Sequence, residues 1–163
     1  CSTIWNQTMN FAALLAAFDQ SSNCTVTVPP EWAQGRAGYG GLVAALVLRG
    51  MRASLAEPRP VRSLAITFVG PVQPGIPVQV QSEVLREGRA VTQVLGRAVQ
   101  NGETMCIVQG SFGTGRPSSV DVPAEPAPAA PAPDACQRTP FVEGVMPNFL
   151  RYFDTRWTFG DYP

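Results

Sequence analysis

The stretch Gly38–Leu55, GYGGLVAALVLRGMRASL, decides how the rest of the chain is arranged. From Leu42 to Leu48 it runs apolar without a polar break. A surface helix shows polar residues every third or fourth position. Here the first are Arg49 and Arg52, which predicts a buried helix whose C-terminal end reaches solvent. The run is too short and too marked by glycine to span a membrane. Gly40 and Gly41 stand at its start, where helix N–H groups have no partner within the helix. Glycine there lets a ligand or another backbone come close. Pro58 and Pro60 close the segment.

Four strand-like runs follow: Val61–Val69, Val78–Arg86, Ala90–Gln100 and Thr104–Phe112. In the second, Val78, Val80, Ser82 and Val84 alternate with Gln79, Gln81, Glu83 and Leu85. The connections are Pro71–Pro77, Glu87–Gly88–Arg89 and Asn101–Gly102, the last being the strongest hairpin signal in the chain. Parallel strands need crossovers of a dozen residues or more. The short loops therefore predict an antiparallel meander. A long apolar helix is buried by lying in the concave face of such a sheet. Thr25–Val28, β-branched and closed by two prolines, reads as a fifth strand. Phe11–Phe18 reads as a short helix capped by Asn10. Residues 1–8 carry no periodicity, and Met9 reads as a native start.

Composition removes whole classes of chemistry. The 163 residues suffice for one ordinary domain, and the net charge is zero, so no nucleic-acid or anionic-membrane partner is expected. All twelve basic residues are arginine, with no lysine and no histidine. Histidine acid–base catalysis, Ser–His or Cys–His nucleophiles, Schiff-base lysines and histidine metal ligands are thereby excluded within this chain. The cysteines at 1, 24, 106 and 136 form no CxxC and read as free structural thiols. No signal peptide or transmembrane run is visible, which makes a cytoplasmic location the expectation. No metal and no cofactor is expected.

Residues 116–139 differ from the rest. Six prolines and six alanines lie between Pro117 and Ala135, with almost no large apolar side chain, so this part reads as an extended linker. Aromatic residues return after it: Phe149, Tyr152, Phe153, Trp157, Phe159 and Tyr162. As a free tail they would expose an apolar patch of a kind soluble proteins avoid.

A helix opening with Gly-Gly and wrapped by antiparallel strands resembles the hotdog fold, an α+β architecture with a long central helix and a curved antiparallel sheet of about five strands. The likeness extends along residues 25–113. Tyr39-Gly40-Gly41, Ser63–Pro71 (SLAITFVGP), Leu85–Arg89, Gln100–Gly102 and Gln109–Phe112 together resemble the N-terminal repeat of TesB-like acyl-CoA thioesterases. Such chains carry two hotdog repeats joined by a linker, and residues 146–149 and 154–157 are similar to the opening of the second. The resemblance implies a first repeat over 1–115, a linker over 116–139 and the incomplete start of a second repeat over 140–163. It also implies acyl-CoA as the ligand, with a second hotdog repeat or another copy of the chain as partner.

Thioester hydrolysis needs a carboxylate to activate water and N–H donors to hold the developing oxyanion. Gly40 and Gly41 are the candidate donors; alternatively they only allow close helix–sheet packing. Tyr39, Thr67 and Phe68 are candidate substrate-binding neighbours, with Thr67 and Phe68 placed to line an acyl channel or simply to fill the sheet. Asp and Glu are absent from Ala33–Ala56, and Glu31 reads as a loop acid. In the family the water is held by an Asp, a Thr or Ser, and a Gln of the second repeat. The corresponding positions here fall near Tyr39, Val61 and Ser111, of which only Ser111 matches, in polarity. The resemblance therefore places the catalytic residues beyond Pro163. Arg86 and Arg89 could meet phosphates of CoA or be solvated turn residues. The expected function is thioester hydrolysis of acyl-CoA by the complete protein, with this half inactive alone; the alternative is a non-catalytic acyl-CoA-binding or pairing module. A hotdog hydratase is disfavoured because that chemistry usually relies on an Asp–His pair.

Overall fold

The computed structural model describes residues 9–160. Helix α1 (Phe11–Gln20) is capped by the Asn10 side chain, which accepts the Ala13 N–H at 2.9 Å. Then follow β1 (Thr25–Thr27), the short pair β2 (Ala33–Gln34) and β3 (Ala37–Gly38), and the central helix α2 (Gly40–Ala53). Four long strands come next: β4 (Val61–Phe68), β5 (Pro77–Glu87), β6 (Val91–Gln100) and β7 (Glu103–Gly113). The five-stranded antiparallel sheet has the order β1-β5-β6-β7-β4.

That order corrects the expected meander. β4 does not pair with β5; it sits at the far edge against β7, so the connection after β4 crosses the end of the sheet. The intervening segment can do so because extended chain covers roughly 3.3 Å per residue, against about 4.8 Å per strand crossed. The crossing is pinned by buried Gln100. Its amide accepts the Gln73 N–H at 2.8 Å and donates to the Gln73 and Ile76 carbonyls, each at 3.0 Å. Asn101 and Gly102 both adopt left-handed φ (+52° and +81°), the geometry of the tight β6–β7 hairpin.

α2 lies across β5, β6 and β7. Its buried residues are Leu42, Val43, Leu46, Val47, Gly50 and Met51, a helical stripe rather than a cylinder. Ala44, Ala45 and Leu48 are only half-buried. The unbroken apolar run thus conceals an ordinary two-sided helix, because alanine on the outer face costs little in water. Two glycines let helix and sheet touch. A Cβ on Gly96 would stand 2.5 Å from Val47 Cγ1, and one on Gly50 would stand 2.6 Å from Val80 Cγ1. Around this contact the core is completed by Leu14, Phe18, Val28, Trp32, Val94, Val108 and Phe112.

Beyond β7 the chain is exposed and without regular structure through Ala132. It then forms a two-stranded ladder, β8 (Gln137–Arg138) with β9 (Arg156–Trp157), enclosing a 3-10 turn at Asn148–Tyr152. Asp154 accepts two bonds from Arg156, at 3.0 and 2.9 Å, and pairs with Arg138 at 3.2 Å. These guanidiniums, Arg156 first, hold the Asp154 carboxyl below its usual range. No helix among the described residues is long and apolar enough to cross a membrane. Cys24, Cys106 and Cys136 are free thiols, and burial pushes the Cys106 thiol up.

Candidate active site at the start of the central helix

The N-terminus of α2 is fixed by backbone bonds on both sides. Tyr39 donates its N–H to the Trp32 carbonyl at 2.8 Å, and its own carbonyl accepts the N–H groups of Leu42 (3.1 Å) and Val43 (3.2 Å). Gly38 donates to Val72 O at 2.7 Å. Among the described residues the N–H groups of Gly40 and Gly41 have no acceptor. They are a pair of adjacent free donors at the positive end of a helix, suited to an electron-rich oxygen.

Each glycine lies against an aromatic ring. A Cβ at Gly40 would stand 3.0 Å from the Phe68 ring, and one at Gly41 only 2.6 Å from the Tyr39 ring. A cavity opens on each side of the helix start. On the Gly40 side a volume of about 370 Å³ is lined by Gly38, Val43, Phe68, Gly70, Met105 and Cys106, among others. On the Gly41 side a volume of about 280 Å³ lies among Trp32, Tyr39, Leu42, Ala45, Tyr152 and Phe153. Among the described residues no Asp or Glu lines either one.

Four of the five sequence candidates, Tyr39, Gly40, Gly41 and Phe68, therefore converge at one place. Thr67 does not. Phe68 faces α2, so Thr67, its neighbour in the strand and the partner of Ile107, points to the other side of the sheet. Val61 and Ser111 are not brought to the helix start either. Val61 stands seven residues along β4 from Phe68, roughly 23 Å away in an extended strand. The Ser111 hydroxyl donates to Gln93 at 2.9 Å. Tyr39, Val61 and Ser111 thus do not form one site in this chain.

Trp32, Phe149, Tyr152 and Phe153 are the neighbours that sequence reading missed. Phe149 stacks on Tyr39 (centroids 4.1 Å apart, planes at 7°), and Tyr152 stacks on Trp32 (4.5 Å, 1°). Phe153 stands edge-on to both Tyr39 (5.7 Å) and Trp32 (6.3 Å). The aromatic density after the Pro/Ala stretch was the available signal, but nothing in the sequence said where those rings dock. The Tyr152 hydroxyl is buried and has no hydrogen-bond partner among the described residues. Burial first, then the nearby Glu31 charge, raise its pKa against the opposing pull of Arg151. Glu31 itself is half-buried in the 3-10 turn Pro30–Trp32.

A long helix held in the concave face of a curved antiparallel sheet, with free glycine amides at its start, is a hotdog-fold protein. An Alicyclobacillus acidocaldarius protein of unknown function with that fold superposes at a TM-score of 0.66, at 21% identity over 78% of this chain. The acyl-CoA thioesterase N-terminal domain family matches residues 28–113, more than half of the sequence, and this chain belongs to that family. Two structures of proposed thioesterases are also similar. One, a thioesterase II from Thermobifida fusca YX, is 28% identical over 71% of this chain (TM-score 0.62). The other, from Novosphingobium aromaticivorans DSM 12444, is 27% identical over 71% (TM-score 0.60). The chain spans less than half the length of all three: 47%, 43% and 46% respectively. Among curated proteins no sequence match is found.

Proposed function

We propose that this chain is the N-terminal half of a TesB-like, double-hotdog acyl-CoA thioesterase, which releases CoA and a free acid by direct attack of water. On this reading residues 1–115 are the first repeat, 116–139 the linker and 140–163 the start of the second. The single observation that carries it is on β4. Among the described residues this strand has no partner beyond β7, and its Leu64, Ile66 and Phe68 face the same side as α2 yet remain exposed. Phe68 is 59% exposed directly beside the helix-start amides. A second hotdog unit, with its own edge strand and helix, would continue the sheet and cover that row next to the site.

The division of labour follows from the chemistry present. The Gly40 and Gly41 N–H groups would donate to the thioester carbonyl oxygen, and Tyr39 and Phe68 wall the site. Among the described residues no carboxylate lines the cavities on either side, so on this reading activation of water falls to an Asp, a hydroxyl and a Gln supplied by the second repeat. The same lack of an acid favours the second reading, a repeat that binds acyl-CoA or pairs with its neighbour without turning substrate over.

The test is thiol release from a panel of acyl-CoAs, comparing residues 1–163 with the complete gene product. Loss of a catalytic base commonly costs about 10²–10⁴-fold in rate. The short chain should fall below the long one by at least that much. Equal rates would put a catalytic group in this half, with Glu31→Gln as the next variant to assay. A complete protein that releases no thiol would leave the non-catalytic module as the function.

A further inference from the structure

The two cavities at the helix start differ in chemistry, and the difference assigns them. The one on the Gly41 side is walled by Trp32, Tyr39, Tyr152 and Phe153 and floored by Leu42 and Ala45, with no charged group in its lining among the described residues. Its rings are set at fixed angles: Trp32 and Tyr152 lie parallel, and Phe153 stands at 69° to Trp32 and 83° to Tyr39. Such an arrangement offers both faces and edges to a flat apolar guest. Its volume, about 280 Å³, lies at the lower limit of small-molecule sites, roughly 300 Å³. That volume suits a compact group held whole among the rings. The cavity on the Gly40 side is larger and is bordered by the backbone of Val69–Val72 and by an exposed Phe68.

We propose that the aromatic cavity beside Gly41 is the acyl pocket, that it takes compact acyl groups with a preference for a flat ring, and that the segment after the linker sets this preference. The inference rests on the thioester reading above. With the thioester oxygen on the amides of Gly40 and Gly41, the acyl group turns to the Gly41 side and the thiol-bearing arm to the Gly40 side. Two walls, Tyr152 and Phe153, come from the 3-10 turn at Asn148–Tyr152 and the residue that caps it. The turn is held in place by Phe149 on Tyr39, the residue preceding the two amides. The segment after residue 139 is thus a specificity element for the helix start of the first repeat, and its contact places the pocket and the amides in one unit.

The experiment titrates the 163-residue chain with benzoyl-CoA, hexanoyl-CoA, CoA, sodium benzoate and sodium hexanoate by calorimetry. Ala45→Phe fills the floor from the half-exposed side of α2, so the fold should persist, checked by thermal melting. It should weaken both acyl-CoAs about tenfold or more, the range for one misfitting group in an apolar pocket, and leave CoA unchanged. Phe153→Ala, in an exposed residue, should weaken benzoyl-CoA more than hexanoyl-CoA. Wild-type acyl-CoA binding in both variants overturns the proposal, as does a chain that binds none of the probes. The thioester reading fails separately. If benzoate binds in an Ala45→Phe-sensitive way while attached CoA adds nothing, the pocket stands and the thioester assignment falls.

Discussion

Three rows of side chains cross the helix-facing side of the sheet, and each contains two environments. Val80, Ala98, Cys106 and Phe68 make one row; Ser82, Gly96, Val108 and Ile66 the next; Val84, Val94, Gly110 and Leu64 the third. On β6 and β7 all six members are buried beneath α2. On β4 the last members are 59%, 43% and 37% exposed. Residue type does not explain the difference, since Leu64, Ile66 and Phe68 are as apolar as anything in the core. Coverage does. One helix of about 10 Å diameter spans two to three strands at roughly 4.8 Å spacing, and the sheet is wider than that. The surplus strand is apolar on its helix-facing side and, among the described residues, unpaired at its outer edge, the form a surface takes when something else completes it.

The largest effect that would break this comparison lies under the helix. Gly96→Val would set a branched side chain where even a Cβ meets Val47 and Met51 at 2.5–2.8 Å. Overpacking a filled core costs about 1–3 kcal/mol and occasionally more. Here the collision is with α2 itself, so the upper part of that range or outright loss of cooperative melting is expected. A melting temperature close to wild type would mean that helix and sheet are not locked as described.

The second effect compares like with like across the boundary. Leu46→Ala, beneath the helix, should cost about 2–5 kcal/mol in denaturant unfolding. Leu64→Ala, on the uncovered strand of the isolated chain, should cost no more than about 0.5 kcal/mol. In a complete protein with two repeats the second value should rise toward the first, because Leu64 would then be covered. A large cost for Leu64→Ala in the isolated chain, together with a dimer in sedimentation, would name a second copy as the cover instead of a second repeat.

How much of this was legible beforehand depends on the range of the interactions. The central helix, the long strands and the Asn101–Gly102 hairpin follow from local patterns, and they stand where the sequence put them within a residue or two. Strand order is not local. The rule that short loops join neighbours failed at β4, because Gln100, far along the chain, holds the crossing segment in place. The same limit applies at the candidate site. Gly40 and Gly41 announce a helix start by themselves, and Phe68 reaches it by strand geometry. Thr67 was grouped with Phe68 although alternation sends the two to opposite faces, a distinction the sequence already contained. The rings of Tyr152 and Phe153 could not be placed, since more than a hundred residues, among them a patternless Pro/Ala-rich stretch, separate them from Trp32.

The smallest effect concerns what holds α1 to the covered half. Arg49, on the outer face of α2, donates two bonds to Asp19 at the end of α1, at 2.9 and 2.7 Å. The hydrogen bond, with the Arg49 charge assisting, lowers the Asp19 pKa below its ordinary 3.8 and raises that of Arg49. A carboxyl whose folded-state pKa is depressed contributes stability above its unfolded value and loses it as pH falls through the folded one. The contribution of Asp19 should therefore be whole at pH 6 and disappear progressively below about pH 3.8. Both side chains are well exposed, and exposed pairs are screened by salt and contribute little. Asp19→Asn should lower the melting temperature only slightly at pH 6 and low ionic strength. That gap should close in molar salt, and close again as the wild-type carboxyl is protonated. A gap that persisted at low pH or high salt would show that Asp19 acts through packing of α1 on α2 instead of through its charge. The register of Leu14 and Phe18 against the core would then be the place to look for the loss.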